Sequence, residues 1–193
     1  MLAIAAVGIF AFGYHWGNRY ARPKAENLSA YVFVDPVKIR PFTLLDEQGR
    51  SFSSDSFQDH WNLIMAGRLD APGCQRLLVR YVLAWNNLAQ DAKMQKHTRV
   101  VFMDLRQPPV STKTLRKNID FFNPAFIALQ GSPEQLARLG KQLGMNAQRL
   151  ASQTTCAPDE AVVALVGPTG YLQALFTGVT SPVDIAHDLI HFK

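Results

Sequence analysis

The chain has only two cysteines, Cys74 and Cys156, in 193 residues. Two thiols cannot build the disulfide framework of a small secreted scaffold, nor by themselves the four-ligand set of a structural zinc site. Charge is scarce as well: Asp, Glu, Lys and Arg make up 18% of the residues, against roughly 25% in an average soluble domain. Lys and Arg exceed Asp and Glu by 20 to 15, a net charge of +5. The basic residues form no block and no aromatic-interleaved stripe, so they read as solvated faces and nucleic acid is not expected as a partner. His15, His60, His97, His187 and His191 are scattered without ligand spacing and read as surface or core residues. No apolar run reaches the ~20 residues of a full membrane span.

Apolar material is plentiful by contrast. Hydrophobic residues make up 48% of the chain and the mean hydropathy is −0.03, enough for one core of about 150 to 170 residues with an N-terminal appendage. That appendage, Met1 to Trp16, is apolar and uncharged up to His15, with Tyr14 and Trp16 suited to a membrane interface. It has the length of a signal-peptide apolar region, yet no basic segment precedes it and no A-x-A site follows, so an uncleaved membrane anchor is expected, with a signal peptide as the alternative. Arg19, Arg22 and Lys24 follow it; on the positive-inside rule alone they argue for a cytoplasmic domain, so orientation stays open on these residues. Residues 17–40, interrupted by Pro23 and Pro36, read as a linker, and the domain is expected over 41–193.

Within that domain the organising stretch is Leu63 to Leu78, LIMAGRLDAPGCQRLL, an apolar strand followed by a turn and a cysteine at a helix start. Before it, PFTLLDEQGRSFSS reads as a hairpin turning at Gln48-Gly49. After it, Leu77, Leu78, Tyr81, Val82, Trp85 and Leu88 recur at helical spacing, and RVVFMDL reads as a second buried strand. Ser111 and Ser132-Pro133 open two further helices around a short strand at Phe126 to Leu129. Ala161 to Val166 and Tyr171 to Phe176 form a hairpin across Gly167 to Gly170, and Ser181-Pro182 starts a last helix. This order resembles a thioredoxin-like α/β sandwich with an N-terminal β-hairpin, in which the strand-to-helix turn carries the chemistry because helix N–H groups stabilise a thiolate there.

Several spaced motifs resemble the Sco/SenC family of membrane-anchored, thioredoxin-fold proteins that deliver copper to cytochrome c oxidase. They are PFTLLDEQGRSF against the family's entry hairpin, Gly67 before the active loop, Ala71-Pro72 where the family has Cys-Pro, and VVFMDL followed by FFNPAFIALQGSPEQLARLGKQLG. VVALVGPTGYL occupies the place of the family's last hairpin. The resemblance implies an inner-membrane protein with a single N-terminal anchor at residues 1–16, a domain facing the periplasm, and a respiratory oxidase subunit or other membrane-associated protein as partner.

The same resemblance implies a copper site built from a CxxxC pair and a histidine, and here the residues depart from it. The first cysteine position holds Ala71, the second falls on Gln75 or, with one residue deleted, on Cys74, and the histidine position falls near Asp159. An acidic position is replaced around Arg106. In the family's fold the loop of Cys156 approaches the active turn, so Cys74 and Cys156 are candidates for a disulfide or a two-thiolate Cu(I) site, with two unrelated thiols as the bland alternative. A lone Cys74 at a helix start would be a reactive thiol. The expectation is a non-enzymatic Sco/SenC-like protein of oxidase assembly or copper homeostasis with a degenerate copper site. The alternatives are a thiol-redox protein using Cys74 and Cys156, and a partner-binding scaffold without metal.

Overall fold

The computed structural model describes residues 28–152, 156, 161–178 and 180–192. The apolar segment 1–16 lies outside them; among the described residues no helix is long and apolar enough to cross a membrane.

Two largely buried, mostly apolar runs make the centre. Strand β4 (Trp61–Gly67) and strand β5 (Thr98–Asp104) pair in parallel from Trp61↔Thr98 to Gly67↔Asp104. A strand covered on both faces has no solvent side to alternate toward, which is why both read as continuous hydrophobic runs. The expected hairpin forms as β2 (Thr43–Asp46) and β3 (Ser51–Ser53), with Gly49 at φ +78° in its turn, a conformation that favours glycine. Strand β6 (Ile127–Gln130) joins the hairpin to β5, and β7 (Val162–Val166) with β8 (Tyr171–Thr177) closes the other side.

One further strand lies where linker was expected. β1 (Tyr31–Lys38) pairs antiparallel with β8, giving an eight-stranded sheet in the order β1-β8-β7-β4-β5-β6-β2-β3. Pro36 lies within this strand, although a proline cannot donate to a ladder. It sits between the paired residues Val32 and Val37, where the register shifts, so the proline occupies the interruption of an edge strand.

Among the described residues six helices cover the two faces. Helix α1 (Pro72–Asn87), α3 (Thr112–Asp120) and α6 (Pro182–His191) pack on one face, where Leu77, Leu78, Leu115, Ile119, Ile185 and Leu189 meet Leu63, Met65 and Phe102. On the other face α4 (Pro133–Gln142) and α5 (Ala147–Ser152) cover Ile64, Ala66, Val101 and Met103. The short α2 (Ala92–His97) and α5 were not legible in the sequence, since six residues carry too little periodicity. The expected serine starts are present: Ser111, Ser132 and Ser181 each accept the backbone N–H three residues on.

Ahead of β1, the buried carboxylate of Asp188 on α6 accepts from Ser29 Oγ (2.6 Å) and Ala30 N (2.9 Å), tying the start of the described chain to the last helix. On α1, burial pushes the Tyr81 hydroxyl above its ordinary value near 10. The unfolded chain therefore loses this proton first, and stability falls as pH rises above 10, by about 1 kcal/mol over the next pH unit. Urea unfolding at pH 9 and 11 should show that loss in the parent chain and a smaller one in Tyr81→Phe.

Candidate functional site

The C-terminal ends of the two parallel strands set the site. Gly67 ends β4, residues 68–71 turn, and α1 begins at Pro72 with Ala71 extended as its N-cap. The turn closes with Ala71 N donating to Arg68 O at 2.9 Å, and Leu105 N donates to Gly67 O at 2.8 Å. Asp104, opposite Gly67 in register and 2% exposed, reaches into the turn. Its Oδ1 accepts from Leu69 N (3.2 Å) and Arg106 N (3.4 Å), and its Oδ2 from Arg106 Nε (2.7 Å). From the helix side, Gln75 Nε2 donates to Leu69 O at 3.3 Å. Buried polar groups that find partners rigidify what they hold, so the turn is fixed from both sides. At its rim Arg68 pairs with Asp70, and hydrogen bonding to that guanidinium holds the Asp70 carboxyl below its ordinary value.

Cys74, the third residue of α1, is joined by a disulfide to Cys156, which comes from the connection between α5 and β7. Their Cα atoms lie 4.8 Å apart across 82 positions of sequence, within the usual range for a bridge. Both residues are buried, Cys74 at 1% exposure and Cys156 at 6%. Beneath them passes Gly67, where an added Cβ would stand 2.6 Å from Cys156 Sγ and 2.7 Å from Cys74 Sγ. Glycine is required here for close approach, because no side chain fits between strand and sulfurs. Gly67→Ala should cost about 1–3 kcal/mol by overpacking, read as a lower urea midpoint, and the cost should shrink when the pair is reduced.

The lone reactive thiol considered for Cys74 is corrected by this geometry: neither cysteine is free, and a sulfur in a disulfide is not a nucleophile. Ala71 offers no donor, and Gln75 Nε2 donates to the Leu69 carbonyl. Arg106, at the replaced acidic position, is paired to Asp104. Asp159 lies outside the described residues. His60 and His97 stack loosely away from the site at 6.1 Å between ring centroids, and His187 and His191 lie on α6. Among the described residues no group of three or more His, Cys, Asp or Glu could hold a metal ion. Among the described residues the soft donors at the turn are these two sulfurs, none available when bonded and two thiolates when reduced, a pair that suits Cu(I). The sequence reading missed Asp104, since a single acid after an apolar strand carries no local signal of its partners.

A family model described as SCO1/SenC matches residues 35–192. A curated relative, the "Putative copper-binding protein" of Stutzerimonas stutzeri, is 28% identical over 137 residues, 67% of this chain; the chain spans 64% of that protein's length. Among solved structures, yeast Sco1 with copper bound superposes with a TM-score of 0.65 at 17% identity, covering 82% of this chain and 94% of that one. BsSco, described with a disulfide switch and as a member of the Sco family of cytochrome c oxidase assembly proteins, gives 0.60 at 16% identity, covering 83% and 96%. At such identities the structural likeness is one of fold, thioredoxin-like as expected. The family-model match extends from within β1 to the end of α6, and on that ground the chain belongs to the SCO1/SenC family.

Proposed function

We propose that this protein acts in cytochrome c oxidase assembly or copper handling through a thiol–disulfide couple formed by Cys74 and Cys156, in place of a three-ligand copper site. The observation that carries the reading is the bridging of the chain's two cysteines at the strand-to-helix turn, across 82 positions. The family supports the process, as do a relative named for copper binding and a structural neighbour described by a disulfide switch. A disulfide belongs in an oxidising compartment, which favours a periplasm-facing domain tethered by residues 1–16 over the orientation suggested by Arg19, Arg22 and Lys24.

The chemistry follows from placement. Reduction takes two electrons and two protons from a partner dithiol. A partner thiolate attacks Cys156 Sγ, the less covered sulfur, the S–S bond breaks, and its electron pair leaves on Cys74 Sγ. Cys74 stands in the first turn of α1, where unpaired N–H groups and the helix dipole favour the thiolate, making it the better leaving group. The second partner thiolate then attacks the partner sulfur of the mixed disulfide, releasing Cys156 and leaving the partner oxidised. Burial of both sulfurs slows exchange with a free reductant and favours a partner that docks on the turn.

A second reading is favoured by the adjacency of two soft sulfurs: once reduced, the pair carries one Cu(I) as cargo. An anaerobic titration of oxidised and reduced full-length protein against a chromophoric Cu(I) chelator separates the two. For the redox reading the reduced protein should withdraw little copper from the chelator. Stoichiometric withdrawal by the reduced form alone, lost in Cys74→Ser and in Cys156→Ser, would establish the cargo reading instead.

A further inference from the structure

On the face of the sheet opposite the disulfide, the connection from β1 to β2 runs beside α4 and leaves a cavity of about 640 Å³ between them. Val37, Pro41 and Phe42 contribute apolar lining, and four cations also line it: Lys38, Arg40, Arg138 and Lys141. All four are exposed, and none forms an ion pair with a described carboxylate. No lining residue is acidic; the nearest recorded carboxylate influence is Glu134, whose charge acts on Arg138 from one turn earlier on α4. The walls are stitched together rather than merely adjacent. Arg40 N donates to Gln142 Oε1 at 2.6 Å, and Gln135 Nε2 donates to Thr43 O at 3.1 Å.

Arg138 and Lys141 also line a second cavity, of about 560 Å³, which continues past the end of α4 to Gly144, Asn146 and Gln148. The two cavities share Arg138 and Lys141 on α4, a helix of 10 residues, about 15 Å at 1.5 Å per residue. That length suits about five residues of extended chain. A small inorganic anion would leave most of it empty.

We propose that this groove binds an extended acidic segment of a partner protein, with carboxylates against Arg138, Lys141, Lys38 and Arg40 and an apolar side chain on Phe42. Because it lies across the sheet from Cys74 and Cys156, a partner can be held here while the disulfide face stays open. The inference does not depend on the redox reading.

The test is fluorescence anisotropy of full-length protein with a fluorescein-labelled Glu-Asp-Leu-Glu-Asp-Leu peptide. Arg138→Glu/Lys141→Glu is compared with Lys113→Glu/Lys117→Glu, the same charge change on the exposed part of α3. Binding that strengthens at low salt and falls about tenfold or more in the α4 pair, with little change in the α3 pair, is expected. A version of the peptide with Lys for each acid should not bind. Equal loss in both pairs would reduce the effect to net charge and overturn the proposal, as would no binding by the parent. Binding of short-chain phosphatidylglycerol that depends on Arg138 and Lys141, without peptide binding, would assign the groove to a lipid headgroup and also overturn it. Thermal melts of both pairs, expected to match the parent, keep a folding defect apart from a binding defect.

Discussion

Reducing the Cys74–Cys156 disulfide, or replacing both cysteines with serine, should lower stability by about 2–5 kcal/mol. The bridge spans 82 positions, and constraining so long a loop in the unfolded chain gives about 4.5 kcal/mol in the chain-entropy picture, an upper figure because unfolded chains keep structure of their own. For a chain of this length that corresponds to a fall in melting temperature of about 5–15 °C. Melts with and without reductant measure it, and the double serine variant should be insensitive to reductant. A parent chain whose melt ignores reductant, with the thiols shown to be free, would mean that the bridge does not hold the fold.

Asp104→Ala should be as damaging, although Asp104 touches neither sulfur. The carboxylate is 2% exposed and holds Leu69 N, Arg106 N and Arg106 Nε. Its removal leaves a guanidinium only 11% exposed without its counter-charge, and breaking a buried pair from one side costs about 3–5 kcal/mol. The turn that presents Cys74 loses its anchor at the same time. Urea unfolding should show the loss, and alkylation of reduced protein should become faster at Cys74. Asp104→Ala combined with Arg106→Met should recover part of the stability, since the stranded charge is then gone. A single variant within 1 kcal/mol of the parent would remove Asp104 from the site.

What could be read from the sequence divides along physical lines. Features written into consecutive residues were legible: the Gln48-Gly49 hairpin, the continuous apolar runs of β4 and β5, the serine caps, and the glycine and cysteine of the strand-to-helix turn. Features that depend on what lies across the fold were not. β1 reads as linker because a proline in a linker and a proline in a break between ladders look alike in one dimension. The contacts of Asp104 and the clearance at Gly67 exist only once β4, β5 and α1 have converged. The basic residues read as solvated faces because Lys38 and Arg40 lie about a hundred positions from Arg138 and Lys141, and only the fold gathers them. For Cys74 and Cys156 the family resemblance brought the two loops together on paper while leaving a disulfide, a metal pair and unrelated thiols all open; the structure records the bridge.

The central claim is that these two sulfurs form one working couple, and differential alkylation tests it most directly. Cells are quenched in acid, free thiols are blocked with one reagent, disulfides are reduced and the released thiols blocked with a second, and Cys74 and Cys156 are read by mass spectrometry. The expected result is that both cysteines carry the same label within each molecule, with bridged and reduced molecules both present and a dithiol reductant converting one into the other in the native protein. Both thiols free in every molecule would contradict the claim, and so would a bridge that resists reduction until the protein unfolds.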